Sequence, residues 1–133
     1  MELNNLYNIA EDEEISVFFM PLPHSRGMVL DRNNEFFIGV DNKVSPFEEK
    51  VILAHELGHC MTGGGYPQDG DSLIRVRLEK KAHNWAIERL IPLNELKEAI
   101  KQGVEALSCL ADRFGVTEDF MQKAIKHYCA KTA

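Results

Sequence analysis

An α+β fold is predicted, and three observations predict it. Strand-forming residues are concentrated before residue 41, and helical periodicity takes over from residue 45. No internal repeat, linker or low-complexity tract divides the 133 residues, so residues 1–133 are expected to form a single domain. At 44% hydrophobic and 27% charged residues, that length suffices for one buried core.

Residues 2–10 place Leu3, Leu6, Tyr7 and Ala10 on one side of a short amphipathic helix. Residues 14–20 are rich in strand formers, and Pro21 and Pro23 end that run. Residues 27–40 read as a hairpin. Met28-Val29-Leu30 and Phe36-Phe37-Ile38-Gly39-Val40 are its strands, and Asp31-Arg32-Asn33-Asn34 supplies the turn. The expected result is a small N-terminal antiparallel sheet.

Ser45-Pro46-Phe47-Glu48 is a helix start: Ser45 caps, Pro46 suits the first helical position, and Glu48 completes a capping box. That helix should carry Phe47, Val51, Ala54 and Leu57, reach about Met61 and stop at Gly63-Gly64-Gly65. A loop over 63–72 precedes a helix over 73–90, which ends before Pro92. Residues 93–102 form the next helix, broken by Gly103. A C-terminal helical pair is expected over 104–130, its two helices separated at Phe114-Gly115-Val116 and the second capped by Thr117.

The net charge of -6 argues against a general nucleic-acid or anionic-membrane surface. No apolar run has the length of a membrane span. The opening Met1-Glu2-Leu3-Asn4-Asn5 lacks the features of a signal peptide, and Cys60, Cys109 and Cys129 suggest no disulfide framework. A cytoplasmic location is the expectation.

The chemistry is concentrated in His55-Glu56-Leu57-Gly58-His59. Positions i and i+4 share a helix face, so His55 and His59 can offer two imidazole nitrogens to one metal ion. Glu56 is placed to act on a water at that metal, which is the logic of the His-Glu-x-x-His pattern. A catalytic zinc takes three protein ligands and keeps one position open. The third candidate is Glu79, twenty residues after His59 on the following helix, with Asp69 and Asp71 as rivals. Cys60 should point to a different helix face as a buried thiol. Gly58 is expected to let another element or the substrate pass close to the helix.

The motif is followed by Glu79-Lys80-Lys81-Ala82-His83-Asn84-Trp85-Ala86 and then Leu90-Ile91-Pro92. Together with Leu110-Ala111-Asp112-Arg113-Phe114-Gly115-Val116-Thr117, these stretches resemble the ImmA/IrrE family of small zinc metallopeptidases, over about residues 45–130. The resemblance implies a zincin-like fold, with zinc (Zn²⁺) held by His55, His59 and Glu79 and with Glu56 as the catalytic base. It also implies cleavage of a helix-turn-helix transcriptional repressor of a phage or mobile element. His83 departs from related enzymes, in which an aspartate often stands four residues after the third ligand. It can orient a ligand histidine, stabilise the oxyanion or sit satisfied in the core; Tyr66 and His24 are further oxyanion candidates.

Other features have plainer readings. Trp85 and Ala86 should pack, the Glu48-Glu49-Lys50 run and residues 75–81 should be solvated, and His127, Cys109 and Cys129 should have no catalytic part. The C-terminal pair imitates a helix-turn-helix. Glu118 and Asp119, however, would oppose phosphate contacts at the second helix, so no direct nucleic-acid contact is expected. The alternative to a peptidase is a non-proteolytic regulatory binding module, with zinc structural or absent.

Overall fold

The computed structural model describes residues 1–63 and 72–132. Among them the order is α1 (Leu3–Asp12), β1 (Ser16–Met20), β2 (Gly27–Arg32), β3 (Glu35–Asp41), α2 (Pro46–Thr62), α3 (Ser72–Leu90), α4 (Leu93–Lys101), α5 (Leu107–Phe114) and α6 (Glu118–Thr132). The α+β class holds, with a small sheet first and a helical region after it.

The sheet order is β1-β3-β2. The β2–β3 hairpin is antiparallel as expected, but β1 pairs with β3 in parallel, Ser16 opposite Phe37 through Met20 opposite Asp41. The expectation of an antiparallel sheet is therefore corrected to a mixed one. The reason lies in β3. Its run Phe36-Phe37-Ile38-Gly39-Val40 does not alternate, which is the pattern of a strand covered on both faces. It takes the centre, with Ile38 and Val40 fully buried, and β1 occupies the edge that the hairpin leaves open. The turn is tighter than its four candidate residues: only Asn33 (φ 55°) and Asn34 (φ 66°) stand between the strands. Two successive left-handed residues make the turn type that matches strand twist.

α2 begins on the expected capping box. Ser45 Oγ accepts from the Glu48 amide at 3.3 Å, and Glu48 Oε1 accepts from the Ser45 amide at 3.1 Å. The helix buries Leu53, Ala54 and Leu57 against the sheet and α3. α3 crosses α2 at Gly58, where a Cβ would lie 2.5 Å from the Ala82 carbonyl oxygen. Without a side chain at 58 the helices approach far more closely than a larger residue allows. This crossing sets the position of Glu79, three residues before Ala82.

The Glu48-Glu49-Lys50 run is not the solvated face that was expected. Lys50 is buried, and its Nζ donates to the Phe114 carbonyl at 2.6 Å, closing the C-terminal end of α5. Glu49 accepts from the Tyr7 hydroxyl at 2.7 Å. α5 starts at Leu107 rather than 104, and Gly115 ends it in the left-handed conformation (φ 67°). The Tyr128 hydroxyl donates to the Ile91 carbonyl at 2.6 Å, fixing α6 to the end of α3. The buried apolar side chains form a contiguous cluster, with Trp85 packed on its margin and Ala86 inside it. Among the described residues, no helix is long and apolar enough to cross a membrane.

Candidate metal centre

His55 and His59 stand one turn apart on α2, with ring centroids 4.9 Å apart and ring planes at 81°. Glu79 reaches them from α3. His55 Nε2 lies 2.9 Å from Glu79 Oε2, and His59 Nε2 lies 2.9 Å from Glu79 Oε1. The three groups offer ligand atoms that all lie within 4.8 Å of one another, so they can hold a metal ion. Two imidazole nitrogens and one carboxylate are a donor set that suits zinc. Burial, opposed by the Glu79 charge, holds His55 below the usual imidazole range. Its ring is therefore neutral at pH 7, with a lone pair to give. His59 is almost fully buried.

Glu56 points beside this cluster and is only 9% exposed. Burial, with a smaller push from the Glu79 charge, raises its carboxyl to about 7. Gly27 at the start of β2 lies over it: a Cβ there would sit 2.6 Å from Ile52 Cγ2 and 3.1 Å from Glu56 Cγ. The sequence reading gave Gly27 no role. A glycine at a strand end facing a helix was the available signal.

His55, Glu79 and Glu56 line a cleft of about 550 Å³, with His59 buried beneath it. Its walls come from the start of β2, from α2, from α3 and from the start of α6, through Thr117 just before that helix and Asp119, Phe120 and Lys123 on it. None of these C-terminal residues was singled out for the site. They lie 58 residues and more beyond His59, and no spacing rule links them to the motif.

His83 lines the same cleft, one turn beyond Glu79 on α3. Its ring centroid is 6.2 Å from that of His55, and it meets Phe120 edge to face at 5.9 Å. Burial, with the nearby His55 and Lys123, holds it below the usual imidazole range. No hydrogen bond joins it to His55 or His59 among the described residues. His24 is exposed and lines a separate depression with Leu22, Ser25 and Lys43. Tyr66, Asp69 and Asp71 lie outside the described residues. Cys60 is half-buried beside the motif, and burial pushes its thiol up to about 12. It takes no part in the ligand cluster.

Residues 10–126 match the model of the peptidase family described as Peptidase_M78, IrrE N-terminal-like domain. A comparison with curated proteins finds none that matches.

Proposed function

As the chain belongs to the M78 peptidase family through its IrrE N-terminal-like domain, a metallopeptidase family, we propose that it is a zinc-dependent endopeptidase. In this reading His55, His59 and Glu79 hold the zinc, Glu56 moves the proton, and the substrate is a helix-turn-helix repressor of a phage or mobile element. One observation carries it: three ligand groups from two helices converge beside a buried carboxylate, in an open cleft. A purely structural metal site has no use for a base beside it. The repressor as substrate rests on the sequence resemblance alone.

Bound zinc supplies Lewis acidity, drawing water ionisation from about 15.7 down towards about 7. Glu56 takes the proton of the attacking water on its carboxylate and passes it to the leaving amine. His83, a neutral imidazole facing the cleft, donates to the scissile carbonyl oxygen as that atom gains negative charge. Gly27 leaves room for Glu56, and β2 runs past the site as an edge strand of the sheet. An extended peptide paired with that edge would pass the Glu56 carboxylate.

The test compares wild type, Glu79→Ala and Glu56→Gln for zinc content and for cleavage of a repressor from the same mobile element. About one zinc per chain, weakened in Glu79→Ala and kept in Glu56→Gln, is expected. Glu56→Gln should still bind the repressor but leave it intact. Derepression in cells that survives Glu56→Gln would instead favour the binding module.

A further inference from the structure

The chain carries a net charge of -6, yet three basic side chains, Arg26, Lys80 and Lys123, line its cleft beside Glu56, Glu79 and Asp119. With Glu56 and Glu79 assigned to the metal centre, the charged residues left on the cleft wall are Arg26, Lys80, Lys123 and Asp119. Three of these four are basic, and they come from three separate parts of the chain. Arg26 is already committed to an ion pair with Glu48. Lys123 shares its charge with Asp119 one turn before it, at 3.2 Å, but both side chains are more than half exposed, so the pair is weak. Lys80 follows Glu79 directly, is exposed, and makes no ion pair with a described residue.

Lys123 faces the reaction site. It lines the cleft together with His55 and His83. Phe120, one turn earlier on α6, packs edge-on against His83 and holds this part of the helix over the cleft. With the carboxylates of the centre taken up by a metal, a concave wall holding more basic than acidic groups favours ligands of negative charge.

We propose that Lys80 and Lys123 are specificity-determining residues, selecting a peptide segment with aspartate or glutamate beside the scissile bond. The inference rests on the peptidase reading for the word scissile, but the selection is one of binding and is measurable without turnover. Applied to a DNA-binding substrate, it places cleavage in an acidic segment rather than on the basic DNA-reading surface.

The experiment uses the zinc-loaded Glu56→Gln protein. It is titrated with fluorescent, N-acetylated and C-amidated peptide pools of one length, carrying Asp/Glu, Ser/Gln or Lys/Arg at the randomised positions. Each exposed charge contact is worth up to about fivefold, so the acidic pool should bind about tenfold more tightly than the basic one. The preference should shrink as ionic strength rises. In a Lys80→Glu, Lys123→Glu double variant on the same background, with zinc content unchanged, the order should invert. Equal binding of the pools, no binding by any of them, or a preference untouched by the double reversal overturns the proposal. Wild-type protein that binds the acidic pool but never cleaves it would sink the peptidase reading and leave the charge selection standing.

Discussion

Glu56 is a carboxylate that the fold makes hard to ionise, and this has a measurable sign in metal-free protein. Its carboxyl moves from an ordinary 4.5 to about 7, chiefly by burial. The folded state thus holds the proton more tightly than the unfolded chain does. The stability this contributes is present below about 4.5 and is lost as pH rises through about 7, up to about 3 kcal/mol across that window. His55 runs the other way, because its folded-state affinity for a proton is depressed; its contribution is lost as pH falls. Urea unfolding of chelator-treated protein across this range, wild type against Glu56→Gln, cancels the His55 part. The difference should show wild type losing stability relative to the variant as pH rises, and a flat difference would count against a strained Glu56. His83 gives a second prediction at this scale. His83→Ala should lower kcat about 10²-fold with KM and zinc content little changed, and His83→Asn should recover part of the loss as a remaining donor. A loss of zinc in His83→Ala would instead make the residue an orienting partner of the ligands.

At the scale of elements, the decisive contact is the crossing of α2 and α3 at Gly58 and Ala82. Gly58→Ala puts a methyl group against a backbone carbonyl that cannot rotate away, so the helices must separate. Overpacking of this kind costs about 1–3 kcal/mol. Because Glu79 is held by the same crossing, zinc affinity should fall alongside the melting temperature. Calorimetry and metal titration of Gly58→Ala test the two together, and a stable variant with undiminished zinc affinity would show that the crossing does not position Glu79. The elements also differ in how far they could be read in advance. The start of α2 was legible because Ser45, Pro46 and Glu48 act within one turn, and the hairpin because Asn33 and Asn34 tolerate left-handed backbone. The parallel pairing of β1 was not legible. Strand partners are chosen by which edges remain uncovered after collapse, and local sequence does not record that. Lys50 misled for a similar reason: a lysine in a charged run reads as solvated until Phe114, sixty-four residues later, supplies a carbonyl for its ammonium.

For the whole molecule, zinc should act as a folding ligand as well as a reagent. The proposed ligands come from two helices joined through residues 63–71, so a bound ion ties α2 to α3. A ligand that binds only the folded state stabilises it by about 2.7 kcal/mol at a hundredfold excess over its Kd. Chelation should therefore lower the thermal midpoint of wild type but leave Glu79→Ala unmoved, and an equal shift in both would separate Glu79 from the metal. By itself the sequence determined which residues are candidates for the chemistry of the centre. His55, Glu56 and His59 are set by helical period, a local property of five consecutive residues, and the stretch from Glu79 to Pro92 carries the family resemblance. The tertiary structure decided the geometry around that chemistry. It turned Glu79 onto both imidazoles, buried Glu56 under Gly27, faced His83 into the cleft with no hydrogen bond to His55 or His59 among the described residues, and brought α6 across with Phe120 and Lys123. Those placements depend on how closely helices cross and on which surfaces the core leaves open. They are properties of packing between distant segments, which no spacing within one segment contains.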